Sequence, residues 1–175
     1  MKGEGGQSLL AALAAKKGAI VDEWLAQTLR TYPEQTSRFL SQEKDPFRNP
    51  VGHTLRAALP ALFDALIAGS DAATLARLLD PILRIRAVQD FGAGQAVAFV
   101  FLLKRTMREV LGDEANGDAG GESLAAMEAR IDEMALLAFD LFMKCREQIY
   151  EIKWSEAKRR LFVLERVHGE QTGVG

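Results

Sequence analysis

Apolar residues recur three and four positions apart along most of the chain, and the longest such stretch covers residues 122–168. It contains no proline and no glycine, so nothing in it has to break an α-helix. Its first part carries a continuous apolar seam, formed by Leu124, Met127, Ile131, Met134, Ala138, Leu141 and Cys145. A helix of this length spans about 70 Å, roughly twice the width of a domain of this size. We therefore predict a terminal helix that packs along its first part and then leaves the domain.

The apolar pattern changes register after Ile152. A narrower stripe follows, which consists of Trp154, Ala157, Leu161 and Leu164. Cations flank it at Lys158, Arg159 and Arg160. An exposed apolar stripe on a helix that outruns its own domain is typical of a contact with a second protein or a second copy. We predict an interface here and a homodimer.

Upstream, the same periodicity predicts helices over residues 8–32, 36–40, 51–68, 72–79 and 95–111. Gly18 predicts that the first is one kinked helix or two short ones, and Ser8, Asn49 and Asp71 are expected N-caps. Pro60 predicts a kink or a break, Pro81 predicts an interruption, and residues 112–121 read as a flexible glycine-rich connection. The sequence shows no strand pattern and no internal repeat. The expected fold class is therefore all-α.

Composition limits the classes of function. The 175 residues are 48% apolar and 26% charged, which fits one ordinary domain. A net charge of −2 with interspersed signs argues against nucleic-acid binding. The longest uncharged run, residues 91–103, is shorter than the about 20 residues needed to cross a bilayer, and the start lacks a secretory signal. We expect a cytoplasmic protein without membrane insertion.

Few residues suggest chemistry. His53 is the only histidine inside the predicted domain, and Cys145 lies on the apolar seam without a histidine near it in sequence to act as a base. The pairs Asp80–Arg84 and Arg86–Asp90 have the spacing of helix-surface ion pairs. No metal motif is visible inside the predicted domain, because no histidine there completes the Glu-x-x-His pattern of helical metal sites. The sequence therefore predicts no enzyme and no cofactor.

Two alternatives stay open. A single imidazole suffices to hold heme iron, so His53 would be the axial ligand of a heme-binding gas sensor. A carrier of a small hydrophobic ligand would instead have a cavity lined by phenylalanines, namely Phe99, Phe101, Phe139 and Phe142.

Three strings, in order along the chain, resemble one known family: KDPFRNPVG at residues 44–52, RIRAVQDF at 84–91 and AFDLFMKCREQIYEI at 138–152. The family is that of the N-terminal domains of RsbT co-antagonist (RsbRD-type) proteins of bacterial stressosomes. The resemblance implies a heme-free, globin-like sensor domain, usually dimeric, whose protruding helix leads to a C-terminal STAS output domain. The dozen residues after Val163 leave no room for that output domain, so the expected role is a stand-alone signalling or protein-interaction module with a signalling protein as partner.

The expected division of the chain is a flexible start at 1–7, the domain at 8–154, the outer helix at 155–168 and a tail at 169–175. Eight residues of the family-like strings have no role assigned beyond scaffold: Asn49, Pro50, Arg84, Arg86, Asp90, Asp140, Lys144 and Arg146.

Overall fold

The computed structural model describes the backbone of residues 4–112 and 118–171, and the side chains of residues 9–112 and 124–162. Within these ranges the chain forms α-helices and no strand, so the all-α prediction is confirmed. The helices are α1 (Glu4–Ala15), α2 (Lys17–Leu29), α3 (Glu34–Gln42), α4 (Pro50–Ile67), α5 (Ala72–Val88), α6 (Ala93–Leu111) and α7 (Asp118–Gln171). Helix α7 packs mainly against α5 and α6, and α2 packs against α6 and α4.

The predicted helix starts are mostly confirmed. The Asn49 side chain accepts a hydrogen bond from the Gly52 backbone N–H, and Asp71 caps α5 by accepting from Thr74. Each cap satisfies a backbone donor that has no partner inside the helix. Ser8 is not an N-cap, because α1 begins at Glu4. The first predicted helix is two helices, which separate at Lys16 rather than at Gly18.

Both prolines lie inside continuous helices. Helix α4 runs through Pro60 and α5 runs through Pro81, so the predicted interruption at Pro81 is wrong. A proline removes one hydrogen bond from the helix ladder, and packing of the neighbouring turns can outweigh that loss. Around Pro81 the neighbours Leu79, Ile82 and Leu83 are all fully buried, which holds both halves of α5 against the core.

Helix α7 begins at Asp118, four residues before the predicted start, so Gly120 and Gly121 belong to the helix rather than to a connection. Residues 113–117 lie outside the described residues. The predicted seam is confirmed: Leu141 is half-buried, and the others are buried, namely Leu124, Met127, Ile131, Met134, Ala138 and Cys145. Every residue from 150 to 162 is exposed. The helix therefore leaves the body of the protein at about Ile149.

The four phenylalanines proposed for a ligand cavity do not line one together. Phe99 and Phe142 are buried in the core, whereas Phe101 and Phe139 are more than 40% exposed. Phe99 stacks on Trp24, whose indole N–H donates to the Phe99 carbonyl oxygen at 2.6 Å. The predicted cavity is wrong because these side chains point to different faces of α6 and α7.

Candidate functional site

Arg86 lies completely buried on the last turn of α5. Its Nη1 donates to the carbonyl oxygens of Gln95 and Ala96 at 3.1 and 3.4 Å, and its Nη2 donates to Thr31 Oγ1 at 3.2 Å. Thr31 follows the end of α2, and Gln95 and Ala96 belong to the first turn of α6. One side chain thus connects the ends of three helices.

Three aromatic rings surround the Arg86 guanidinium. Its central carbon lies 5.3 Å from the ring centre of Tyr32 and 5.0 Å from those of Phe91 and Phe99. Negatively charged ring faces attract a cation, most strongly where water is excluded. None of the described carboxylates forms an ion pair with Arg86. Burial lowers the pKa of Arg86, but an arginine side chain stays charged in proteins. We call Arg86 and its three rings the arginine cage.

Part of the polar surface at the cage has no partner. Among the described atoms, Arg86 Nε, the Tyr32 hydroxyl and Thr28 Oγ1 are buried without a hydrogen bond. Burial raises the pKa of Tyr32, and the charge of Arg86 offsets part of that rise. Unsatisfied buried polar atoms cost stability. The junction of α2 and α5 is therefore the least satisfied part of the described core.

The predicted ion pair between Arg86 and Asp90 is wrong. Spacing of four residues brings two side chains together only within a helix, and α5 ends at Val88. Asp90 instead has a positive φ of 58°, in the left-handed region. This turn directs its carboxylate away from Arg86 and towards Arg146 on α7. The other predicted pair is confirmed, with Arg84 Nε 2.7 Å from Asp80 Oδ2.

Arg146 holds α7 where the helix leaves the body. Its Nη1 donates to Asp90 Oδ1 at 2.9 Å and to the Ala87 carbonyl oxygen at 3.0 Å. Its Nη2 donates to the Tyr150 hydroxyl at 2.9 Å. We call Asp90, Arg146 and Tyr150 the exit clamp. It binds the end of α5, next to the arginine cage, to the start of the exposed part of α7.

The Asp90 carboxylate of the exit clamp is ionised at neutral pH. The hydrogen bond from Arg146, followed by its charge, lowers the pKa of Asp90 from 3.8. A carboxyl whose folded pKa is lowered stabilises the fold fully above its unfolded pKa, and this stabilisation is lost as pH falls through the folded pKa. The ion pair between Asp90 and Arg146 is therefore lost by protonation only below the ordinary pKa of an aspartate.

Asn49 organises the loop between α3 and α4. The side chain is buried, and its Nδ2 donates to the carbonyl oxygens of Leu40 and Glu43 at 2.9 and 2.8 Å. Its Oδ1 accepts from the Gly52 N–H at 2.8 Å. The loop that it closes exposes Phe47 almost completely. These contacts explain Asn49 and Gly52 as scaffold residues of the first family-like string, and Pro50 is the first residue of α4, where a proline is tolerated.

Gly52 is required by this packing. A Cβ at this position would lie 2.3 Å from Asn49 Nδ2, far inside contact distance, whereas a Cβ at the exposed Gly18 of α2 would meet no described atom within 4 Å. We expect Gly52→Ala to lower the free energy of unfolding by about 1–3 kcal/mol and the control Gly18→Ala to raise it by about 0.5–1 kcal/mol. Urea denaturation followed by circular dichroism measures both. Equal effects of the two substitutions would contradict this assignment.

The other residues singled out in the sequence lie apart from one another. His53 is exposed on the first turn of α4, and Arg84, Asp140 and Lys144 are exposed on α5 and α7. Cys145 is buried, and burial raises the pKa of its thiol. Within the described residues, no group of three or more His, Cys, Asp or Glu side chains could hold a metal ion. No helix in the described part of the chain is long and apolar enough to span a bilayer.

A cavity of about 470 Å³ lies between α2 and α4. Its apolar lining consists of Val21, Leu25, Leu55, Leu59 and Pro60. A smaller cavity of about 130 Å³ lies where α4, the start of α5 and α7 meet. Sequence reasoning missed both, because the residues that line a cavity are of the same types as those that fill a core.

The family model of the RsbT co-antagonist protein RsbRD N-terminal domain matches residues 18–153 of this chain. The matched range includes all residues of the arginine cage and of the exit clamp. The chain belongs to this family. The resemblance carried by the three strings is thereby confirmed. The family consists of regulatory domains of stressosome signalling proteins, and the matched region ends where α7 is already fully exposed.

A relative in Archaeoglobus fulgidus, described as an uncharacterized protein, is 29% identical over 94 residues. The matched stretch covers 53% of this chain and 58% of the archaeal protein. The chain thus spans less than two thirds of that relative. No solved structure matches the chain significantly.

Proposed function

We propose that the protein is a non-enzymatic sensor and protein-interaction module that acts as a homodimer, with α7 as its output element. The observation that carries this proposal is an exposed apolar stripe on α7, with one gap of two turns between Met143 and Tyr150. It comprises Leu136, Phe139, Met143, Tyr150, Trp154, Ala157 and Leu161. We call these residues the α7 stripe. Trp154, Ala157 and Leu161 were expected at an interface, whereas the side chain of Leu164 lies outside the described residues.

The α7 stripe is geometrically suited to a long contact. At 3.6 residues per turn its members fall within an arc of about 60°, and they extend over about 38 Å of helix. They face away from the buried seam of the same helix. Exposed apolar surface of this length is unusual in a monomer and is typical of an interface. A second copy of α7 presents the same stripe, which supports an isologous dimer.

The exit clamp supports a link between the domain and this stripe. Tyr150 belongs to both, because its hydroxyl accepts from Arg146 while its ring is exposed on the stripe. Asp90, on the other side of the clamp, precedes Phe91 of the arginine cage. A change in packing at the cage therefore has a short physical route to the orientation of α7. The route consists of Phe91, Asp90 and Arg146.

Asp90→Ala tests this route, because it removes the acceptor that Arg146 uses at 2.9 Å. We expect amide hydrogen exchange of residues 147–153 to become several-fold faster and the dimer to weaken, since the helix exit loses its anchor. The matched control is Asp140→Ala, which removes an exposed carboxylate of α7 that forms no ion pair with any described residue. Hydrogen exchange read by mass spectrometry, together with sedimentation velocity, measures both effects. Unchanged exchange and unchanged mass in Asp90→Ala would contradict the proposed route.

A further inference from the structure

The cavity between α2 and α4 has the properties of a small-molecule site. Its volume of about 470 Å³ falls within the range of about 300–1,000 Å³ that is usual for such sites. Leu55 and Leu59 of α4 are buried and form apolar surface beneath it, and Leu25 and Pro60 are partly exposed beside them. A flexible hydrocarbon chain fits this lining.

The remaining three lining residues are charged: Asp22, Lys44 and Arg56. Arg56 Nη2 donates to the carbonyl oxygens of Leu40 and Ser41 at 2.6 and 3.1 Å, while its other nitrogens form no hydrogen bond with a described residue. Among the described side chains, none forms an ion pair or hydrogen bond with Lys44. The two cations outnumber the single carboxylate. The polar part of the cavity therefore favours an anionic group.

We propose that this cavity binds an amphiphilic monocarboxylate, a medium-chain fatty acid or a molecule of the same chemistry. The carboxylate pairs with Lys44 and Arg56, since hydrogen bonds between ionised partners are the strong ones. The hydrocarbon chain covers Leu25, Leu59 and Pro60. Lys44 belongs to the first family-like string. The scaffold contacts of Asn49 explain other residues of that string but give no role to Lys44.

The cavity is connected to the proposed output route. Val21 and Leu25 belong to α2, and Thr31 and Tyr32 just beyond the end of the same helix contact Arg86. A ligand that presses on α2 shifts the contacts of the arginine cage. This sensory role rests on the proposed function, whereas binding itself does not.

Titration calorimetry of the full chain with octanoate tests the binding. We expect saturable binding of one octanoate per chain, and binding of octylammonium and of octanol at least about tenfold weaker, because only the carboxylate matches the two cations. Absence of saturable octanoate binding at millimolar concentration would overturn the proposal. Equal affinities for the three compounds would also overturn it, because apolar partition alone would then account for the binding.

Two variants locate the site. Leu25→Trp fills the cavity and should weaken octanoate binding at least about tenfold, and Lys44→Gln should weaken it about threefold to tenfold. The matched control is Arg48→Gln, which removes an exposed cation of the same loop that pairs with Glu43 outside the cavity. Circular dichroism confirms that each variant is folded. Unchanged binding in both Leu25→Trp and Lys44→Gln would place octanoate elsewhere and overturn the assignment.

A failure of this proposal is distinguishable from a failure of the proposed function. Octanoate binding is measured on the chain without reference to dimer formation. If octanoate binds but leaves hydrogen exchange of residues 147–153 unchanged, the site stands and the sensory link to α7 is wrong.

Discussion

Arg86→Ala is expected to lower the free energy of unfolding by about 3–5 kcal/mol. The substitution removes a fully buried side chain from between three rings and leaves a cavity that the rigid helix ends cannot fill. The carbonyl oxygens of Gln95 and Ala96 also lose their side-chain donor. Total stabilities of such domains are about 5–15 kcal/mol, so much of the fold's stability depends on this residue.

The matched control is Arg84→Ala, two residues earlier on the same helix. Arg84 is exposed, its ion pair among the described residues is with Asp80, and exposed pairs contribute little. Arg86→Met separates the effect of side-chain volume from that of charge, because methionine fills most of the space without a cation. We expect it to lower the free energy of unfolding less than Arg86→Ala does. Chemical denaturation followed by circular dichroism compares the three variants. A similar loss in Arg84→Ala and Arg86→Ala would show that the cage is not a stabilising centre.

Local chemistry made part of the structure predictable. The starts of α4 and α5 follow from Asn49 and Asp71, because each N-cap side chain accepts a hydrogen bond from the backbone N–H three positions later. The seam of α7 follows from its spacing alone. The Asp80–Arg84 pair is predictable for the same reason, since both residues lie within one helix.

The arginine cage and the exit clamp depend on contacts between segments that are distant in the sequence. The spacing of residues along the chain does not predict such contacts. Asp90 binds Arg146, 56 positions away, because α5 ends two residues before Asp90 and α7 crosses there. The inner part of the α7 stripe was missed for a related reason. Its residues Leu136, Phe139 and Met143 are of the same apolar types as core residues. The tertiary structure is needed to show that no described residue covers them.

Trp154→Glu is expected to dissociate the dimer. Tryptophan is among the residues that contribute most to interfaces, and an isologous dimer loses two of them at once. The new carboxylates would also be desolvated at the contact. We expect the dissociation constant of the dimer to rise at least about a hundredfold, without loss of the fold, because Trp154 is 65% exposed.

Ile152→Glu is the control for this change. Ile152 is 59% exposed and lies two residues away, but it is on the opposite side of α7 from the stripe. It introduces the same charge into the same part of the same helix. We expect it to change the dissociation constant less than about threefold.

Sedimentation equilibrium of the unsubstituted chain and of these two variants, at tens of micromolar, shows whether the α7 stripe holds two chains together. We expect twice the chain mass of 19.2 kDa for the unsubstituted protein and for Ile152→Glu, and a single chain mass for Trp154→Glu. A monomeric unsubstituted chain, or a dimer that survives Trp154→Glu as well as it survives Ile152→Glu, would contradict the assignment of the α7 stripe as the output surface.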